Sequence, residues 1–426
     1  MEGLVMYEGK IIKFYRQKAK ITQEELGRGI CSVTHISKIE RGLTEYSPEI
    51  TMLLSKRLQI DMEQELTSLE NLKSKLDIWH EFMISQNRQA AMILHNEMKE
   101  YKLLELSEHA TYYKLLVTNY YLTQGCTKKA KKRIDEIQRT IEELSVYEAN
   151  LFKHVLALYY ISIDEYTKSI DIFNTVDFKF YSNPSIYYDL AVAYQNVHSP
   201  VLAYHYAEKA LNHFKKTNQF LRIIDTENLM LIQVESDQYR NFNDTIEQYE
   251  NLIKLCDLCN SLEKKAKVLH NFAYEHFRRQ NYETAGQLYK DSMALKDNDS
   301  PLYLLSLEGY TRSALIGNFL PQEELIGLIE EGLAIADHCN ETLYQLIFTL
   351  HRHSAFQQKD DYHTYLFDNV LPYLKSHGYT LTAQTYDRDL FNYYTDKGNP
   401  DKALEVAERF INENYVKQDE GVELVK

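Results

Sequence analysis

The sequence predicts an all-α protein in which a small helical domain precedes a long array of paired helices. The chain has 426 residues but only 14 Gly and 7 Pro, and the tight turns of most β-sheet folds depend on those two residues. Short turns followed by small residues recur from about residue 71 to the end, as in stacked helical hairpins. The first 60 residues differ in charge and carry shorter helical segments, which predicts a separate domain.

Charge and composition exclude several classes of protein. The net charge is −14, yet the first 60 residues hold ten Lys and Arg against seven Asp and Glu. A basic head on an acidic body indicates that the head meets an anion. The sequence has no apolar run of about 18 residues and no secretory signal at its start. Five irregularly spaced cysteines argue against a disulfide framework. We therefore expect a cytoplasmic protein with no membrane partner.

The segment "ITQEELGRGICSVTHISKIERG", residues 21–42, predicts two short helices joined by a tight turn. Thr22 and Glu25 have the spacing of a capping box, which predicts the start of the first helix. Glycines follow that helix, and Ser32 is placed to cap the next one. Gly42 is placed to end it. This is the geometry of a helix-turn-helix, whose second helix lies in the major groove of DNA.

The second helix of this motif displays small polar side chains where a buried helix would carry apolar ones. Such side chains let a helix approach base edges closely, and a residue at the first helix's start is placed near a phosphate. The predicted DNA contacts are Gln23, Ser32, Val33, Thr34, His35, Ser37, Lys38 and Arg41. The alternative is a small helical bundle that has lost DNA binding or that docks a protein.

A fourth helix is predicted to start at Ser47-Pro48, with Met52, Leu53 and Leu58 on its apolar side. The predicted domains are a helix-turn-helix domain over 1–60, a linker helix over 61–70 and a repeat domain over 71–426.

The body repeats one design, seen in "HSPVLAYHYAEKAL", "QNYETAGQLYKDSM" and "GNPDKALEVAERF". In each, a turn precedes a small residue that lets two helices cross closely, and an apolar helix comes before it. This pattern is typical of tetratricopeptide repeats, whose nominal period is about 34 residues. Weaker copies bring the total to about nine pairs, which predicts one right-handed superhelix with a concave inner surface.

Polar residues at inward-facing positions of the first helix of each pair are candidates for ligand contact. An asparagine amide both donates and accepts, so it can hold the backbone of an extended peptide, and arginine can bind a carboxylate. The alternative is solvated polar filler on an exposed helix face. The predicted peptide-binding residues are Asn119, His154, Tyr188, Asn228, Asn271, Tyr274, Arg312, Arg388 and Asn392.

Nothing in the sequence predicts catalysis. Cys256 and Cys259 form a lone CxxC, which is more often a pair of buried thiols than a metal site. The chain has no HExxH, P-loop, GxSxG or dinucleotide-binding fingerprint. We expect a protein that is not an enzyme and that uses no cofactor and no metal.

The quoted head segment resembles the helix-turn-helix of the phage-repressor and Xre class. Its combination with a tetratricopeptide body resembles the peptide-responsive quorum-sensing regulators of Gram-positive bacteria, the Rap/Rgg/NprR/PlcR family, and most of all the NprR branch. That resemblance implies a transcription regulator that binds double-stranded DNA. It also implies that a short imported signalling oligopeptide binds the groove and changes the homo-oligomer, a dimer or a tetramer.

Two other functions stay open at this point. The body could inhibit a response regulator of a sporulation phosphorelay by protein–protein contact, as the Rap branch of the resemblance implies. The chain could instead be a phage or toxin–antitoxin repressor of similar build.

Overall fold

The computed structural model describes residues 2–43, 47–101, 104, 107, 109–234 and 240–419, and all regular secondary structure in these residues is helical. The chain forms two compact units, Met1–Val234 and Glu235–Lys426. The predicted all-α class is confirmed. The predicted boundaries at residues 60 and 70 lie inside the first unit and stay a prediction.

The first unit begins with five short helices. They are α1 (Glu2–Lys18), α2 (Gln23–Gly27), α3 (Val33–Glu40), α4 (Pro48–Leu58) and α5 (Met62–Glu70). Local sequence explains how α2 and α3 begin. The Thr22 hydroxyl accepts from the backbone N–H of Glu25 at 3.1 Å while Glu25 accepts from the N–H of Thr22 at 2.7 Å, which is the predicted capping box. Ser32 caps α3 by accepting from the backbone N–H of His35 at 3.2 Å.

The predicted apolar side of α4 is partly wrong. Met52 and Leu53 are 63% and 44% exposed, whereas Leu54 is fully buried beside the half-buried Leu58. Because each residue turns a helix by about 100°, an error of one or two positions moves a side chain from the core to the solvent. The buried side of α4 packs toward Ile36 and the other apolar residues of this small core.

Two contacts hold α3 against α1. The Arg16 guanidinium donates to both carboxylate oxygens of Glu40, with Nε–Oε1 and Nη2–Oε2 distances of 2.5 and 3.0 Å. A Cβ atom placed on Gly9 would lie 2.0 Å from the carbonyl oxygen of Ile39, so the two backbones touch there. The position of α3 therefore depends on a largely buried ion pair and on a glycine.

The rest of the first unit consists of helices packed on their neighbours in sequence. They are α6 (Leu72–Ile84), α7 (Arg88–Lys99), α8 (Ala110–Thr123), α9 (Thr127–Gln138), α10 (Val146–Ile161), α11 (Tyr166–Phe173), α12 (Ser185–Asn196), α13 (Pro200–Lys216) and α14 (Phe220–Gln233). Small residues on α13 allow the close crossings that the repeat pattern predicts, since Ala203, Ala207 and Ala210 are fully buried. The only tryptophan, Trp79, is also fully buried and donates its indole N–H to the Ala91 carbonyl at 3.0 Å.

The second unit continues the same design. Its helices are α15 (Phe242–Leu258), α16 (Leu262–Arg278), α17 (Tyr282–Met293), α18 (Pro301–Gly317), α19 (Gln322–His338), α20 (Thr342–Ala355), α21 (Lys359–Tyr365), α22 (Leu371–Ser376), α23 (Thr380–Asp396) and α24 (Pro400–Asp419). One π-helical turn, Leu366–Val370, joins α21 to α22. Gly309 on α18 lets the Tyr289 ring pack on the helix backbone, because a Cβ there would lie 2.4 Å from the ring.

The turn inside most pairs has the same backbone form, with one residue in the left-handed region that commonly ends a helix. In the first unit these residues are Gln86, Gly125, Asp164 and His198, and in the second they are Gln280, Asn318, Gln357 and Gly398. Taken in sequence order, the described helices α6 to α13 make four pairs in the first unit, and α16 to α24 make four in the second when α21 and α22 count as one helix. With α14 at the end of the first unit and α15 at the start of the second, the number of helices equals that of the nine predicted pairs. No helix in the described ranges is long and apolar enough to cross a membrane.

Candidate functional site

The outer face of α3 carries most of the residues predicted to contact DNA. Ser32, Val33, Thr34, Lys38 and Arg41 are exposed. Ser37 is half-buried, and the buried residues Ile36 and Ile39 hold the opposite side of the helix in the core. The structure therefore brings together one exposed strip of small polar and basic side chains on a fixed helix.

Two of the predicted DNA contacts point elsewhere. His35 is half-buried, and its Nε2 atom is buried with no hydrogen-bond partner among the described residues. The Gln23 amide donates to Glu40 Oε2 at 2.8 Å, so it extends the Arg16–Glu40 contact within the domain. Gln23 thus supports the position of α3, and neither side chain is displayed as openly as Thr34 or Lys38.

One cation of the basic head has a structural role that the sequence did not reveal. Arg57 on α4 donates through Nη1 to the carbonyl oxygens of Leu26 and Arg28, at 2.6 and 2.7 Å. These carbonyls lie at the end of α2, where backbone acceptors lack helical partners. Arg57 thus caps α2 and fixes the turn that precedes α3.

Four predicted ligand residues of the first unit lie on the first helices of successive pairs. Asn119 is on α8, His154 on α10, Tyr188 on α12 and Asn228 on α14. Asn119 and His154 line a cleft of about 330 Å³. Tyr188 is half-buried under the Arg222 guanidinium, 5.3 Å from its ring centre. Asn228 is 1% exposed and lies in the helix packing rather than at a surface.

His154 is held on both sides of its ring. Its Nδ1 lies 2.9 Å from the Tyr181 hydroxyl and its Nε2 lies 3.0 Å from Asp189 Oδ2. Asp189 lines the same cleft and was not among the residues predicted from the sequence. The carboxylate comes from the next repeat, 35 residues further along the chain, and no local pattern joins the two.

One buried polar atom of the cleft lacks a partner among the described residues. His80 on α6 is 6% exposed, and its Nε2 has no hydrogen-bond partner among the described residues. Burial, with the nearby His154, lowers the pKa of His80 to about 4, so its ring is neutral at pH 7. Asn119 also lines the cleft and is 7% exposed, but its amide atoms are not among the fully buried ones without a partner. Buried polar groups are nearly always hydrogen-bonded, so the His80 nitrogen indicates a place for a polar ligand.

The cleft is bounded by contacts between the first pair of helices and α14. Arg222 Nε donates to the Ile84 carbonyl at 2.6 Å, and the Gln86 amide donates to Asp225 Oδ2 at 3.0 Å. These contacts join residues about 140 positions apart. They fix the turn after α6 beside α14 and so define the width of the cleft.

In the second unit, Arg312 has a carboxylate neighbour on its own helix, and its contact with a ligand carboxylate stays a prediction. Arg312 Nε lies 3.4 Å from Glu308 Oε1, and its guanidinium lies 4.5 Å from the Phe277 ring centre. Burial raises the pKa of Glu308, but the charge of Arg312 and a hydrogen bond from His351 bring it down to about 2. Arg312 therefore already neutralises a carboxylate of its own helix.

The other predicted residues of this unit do not form one site. Asn271 and Tyr274 are half-buried on α16. Arg388 is exposed on α23 and lines a more apolar cleft of about 600 Å³ together with Phe391 and Ile411. Asn392 is exposed one turn further along α23.

The cysteines show no metal site. Cys256 is buried and Cys259 is half-buried, and neither forms a disulfide. Among the residues that the structure describes, no group of three His, Cys, Asp or Glu side chains is arranged to hold a metal ion.

Comparison with known proteins agrees with these features. Residues 12–64 match the HTH_3 family, described as helix-turn-helix. The transcriptional activator NprA of Geobacillus stearothermophilus is 23% identical over 407 residues, which cover 91% of this chain and 97% of NprA. Because the match runs through nearly the whole of both chains, it includes the repeats as well as the head.

Solved structures share the fold. The apo form of the quorum sensor NprR from B. thuringiensis superposes with a TM-score of 0.68 at 20% identity, covering 80% of this chain and 98% of NprR. NprR in complex with its cognate peptide NprX gives 0.63 at 20% identity, covering 80% and 99%. A Rap protein complexed with competence and sporulation factor gives 0.68 at 14% identity, covering 81% and 97%. The sequence match and the shared fold confirm the resemblance to the Rap/Rgg/NprR/PlcR family that the sequence predicts.

Proposed function

We propose that the chain is a transcription regulator that binds double-stranded DNA through α3 and a short signalling oligopeptide through the cleft of the first unit. Peptide binding changes the homo-oligomer, a dimer or a tetramer, and thereby DNA binding. The observation that carries the proposal is the exposed polar strip of α3, held on a complete helix-turn-helix core. NprA, similar over nearly its whole length, is a transcriptional activator, which supports the same function here.

The strip divides into two kinds of contact. Ser32, Val33 and Thr34 lie at the start of α3, where residues of a recognition helix meet base edges. Lys38 and Arg41 lie at its other end and suit phosphates, which position the protein without reading sequence. One head neutralises few phosphates, so two heads presented together bind more tightly than one at physiological salt.

The Lys38→Gln variant is expected to weaken binding to all duplexes by a similar factor and to lower the salt slope of log K by about one. The reason is the loss of one phosphate contact. The measurement is fluorescence anisotropy at several salt concentrations, on duplexes selected with the wild-type protein from a random library.

Lys216→Gln is the matched control, because Lys216 is an exposed lysine at the end of α13. It changes the net charge equally and should leave the slope unchanged. If both variants lower the slope alike, Lys38 makes no phosphate contact.

The cleft of the first unit supports peptide binding. A peptide backbone offers both N–H and C=O groups, which suit the unpaired Asn119 amide and His80 Nε2. Since His80 Nε2 is buried with no partner among the described residues, a ligand that bonded it would relieve a desolvation cost of about 1–3 kcal/mol. NprR has been solved with its cognate peptide.

Asn119→Leu is expected to weaken peptide binding by about 5- to 150-fold, since the peptide group that it meets loses its partner. Folding should be unaffected, because the Asn119 amide makes no hydrogen bond to any residue that the structure describes. The peptide is first selected by affinity capture from a heptapeptide library, and its binding is then measured by calorimetry.

Asn212→Leu is the control, because Asn212 is exposed on α13. This substitution should leave the affinity for the peptide unchanged. Unaltered affinity in Asn119→Leu would place the peptide elsewhere. Light scattering in the same titrations tests whether the peptide changes the oligomeric state. Saturable peptide binding at constant molar mass would contradict such a change.

A second candidate function is inhibition of a response regulator through the first repeats. Ile78 on α6 and Met92 and Ile93 on α7 are 47%, 49% and 58% exposed, and exposed apolar side chains on two helices that pack together are candidates for a protein contact. In a pull-down, the full wild-type chain should then retain a response regulator, and the Ile93→Glu variant should not. Equal retention by both proteins would contradict docking at this face.

A further inference from the structure

The cleft of the first unit contains an arginine that no carboxylate neutralises. Arg222 on α14 is half-buried and lines this cleft of about 330 Å³. Among the residues that the structure describes, it makes no ion pair. Arginine keeps its positive charge at any ordinary pH, and a charge withdrawn from water is costly unless it is paired. This guanidinium is therefore available to an anionic group of a ligand.

Three contacts hold the guanidinium of Arg222 in place. Its Nε donates to the Ile84 carbonyl at 2.6 Å. Its Cζ lies 5.3 Å from the ring centre of Tyr188 and 5.7 Å from that of Phe214. No described residue accepts a hydrogen bond from Nη1 or Nη2. A guanidinium fixed in this way loses little freedom on binding, and its two Nη groups can donate side by side to the two oxygens of a carboxylate.

Two carboxylates share the neighbourhood of Tyr188 with Arg222, and other groups engage both of them. Asp189 accepts from His154 Nε2 at 3.0 Å. Asp225, one turn from Arg222 on α14, accepts at 3.0 Å from the glutamine amide of the turn after α6. Burial, together with the charge of Asp225, raises the pKa of Tyr188, so its phenol stays neutral and does not supply the missing negative charge.

Positive charge is in excess along the walls of this cleft. The charged residues that line it are Arg88, Asp189 and Arg222, within a chain whose net charge is −14. A local excess of positive charge favours an anionic group. We propose that Arg222 binds a carboxylate of the peptide ligand, either its C-terminus or an acidic side chain. This inference rests on the proposed function and adds one charged contact to the neutral contacts of Asn119 and His80.

The probe for the test is the heptapeptide selected by affinity capture on the full-length protein, from a library whose members end in a free acid. It is also synthesised with an amidated C-terminus, with any Asp and Glu replaced by Asn and Gln, and with both changes. Calorimetry measures the affinity of the four forms for the wild-type chain and for Arg222→Gln. We expect at least one change, which identifies the source of the carboxylate, to weaken wild-type binding about tenfold or more, because charge-assisted hydrogen bonds are lost. The same change should have no effect on binding to Arg222→Gln.

Arg139→Gln is the matched control, because Arg139 is exposed at the end of α9 and does not line the cleft. It should bind all four forms as the wild type does. Arg222→Lys keeps the charge but not the paired Nη groups. It should therefore discriminate between the forms less than the wild type, and it provides the comparison if Arg222→Gln binds none of them.

The possible outcomes separate this inference from the proposed function. A peptide that keeps its wild-type affinity when every carboxylate is removed would overturn the inference and leave peptide binding intact. The inference would also fail if the Arg222 variants weakened all four forms alike, because Arg222 would then act only on the packing of the cleft. A library that yields no bound peptide would overturn both proposals.

Discussion

Replacing Gly9 by alanine is expected to abolish DNA binding while the repeats stay folded. Alanine is the better helix former, so the local effect on α1 alone would be stabilising. The added Cβ, however, would lie 2.0 Å from the Ile39 carbonyl oxygen at the end of α3. Both partners are backbone, so the clash can be relieved only by moving α3, at a cost of about 3 kcal/mol or more. The measurements are anisotropy on the selected duplexes and the thermal unfolding profile.

Gly327→Ala is the matched control for this change. Gly327 is also helical and lies in α19, but a Cβ there meets nothing within 4 Å. It should therefore stabilise the protein by up to about 1 kcal/mol and leave DNA binding unchanged. Undiminished DNA binding in Gly9→Ala would show that the position of α3 does not depend on the close contact between the backbones at Gly9 and Ile39.

The second large effect is expected at Glu40, where replacement by alanine leaves the Arg16 guanidinium without its carboxylate. The two side chains are 3% and 13% exposed, and removing one member of a buried ion pair costs about 3–5 kcal/mol. The Gln23 amide loses its acceptor in the same variant. We expect the helix-turn-helix to unfold at a lower denaturant concentration than the repeats. Hydrogen exchange at α1 and α3 measures this unfolding.

Two controls distinguish the loss of a buried ion pair from the loss of a charge in general. Glu405→Ala breaks the Arg409–Glu405 pair on α24, whose side chains are each 46% exposed, and should cost less than about 1 kcal/mol. The double variant Arg16→Met with Glu40→Leu removes both charges and should recover most of the lost stability. If Glu40→Ala lost as little stability as Glu405→Ala, this expectation would be contradicted.

Local sequence predicted the parts of the fold that local interactions decide. The capping box at Thr22 and Glu25 and the cap at Ser32 depend on residues three positions apart, so the pattern reveals them. The pairing of helices depends on a recurring spacing and was predicted for the same reason. The error at Met52 and Leu53 arose because the phase of a short helix is weakly determined by three apolar residues.

The candidate sites depend on contacts that span repeats, and sequence revealed them only in part. Asn119 and His154 were predicted from their place in the repeat and line one cleft. His80 and Asp189, which share that cleft, come from other helices and were missed. The Glu308–Arg312 pair is an i, i+4 contact that could have been foreseen.

The central claim is that the peptide site and the DNA site are coupled. The most direct test is the affinity of the full-length protein for its selected duplex, measured with and without saturating peptide. The reverse measurement gives the affinity for peptide with and without duplex. Coupling through one equilibrium requires the two affinities to change by the same factor, and the account predicts a change of at least about fivefold, the lower end of typical coupling. Equal duplex affinity in the presence and absence of bound peptide would contradict it.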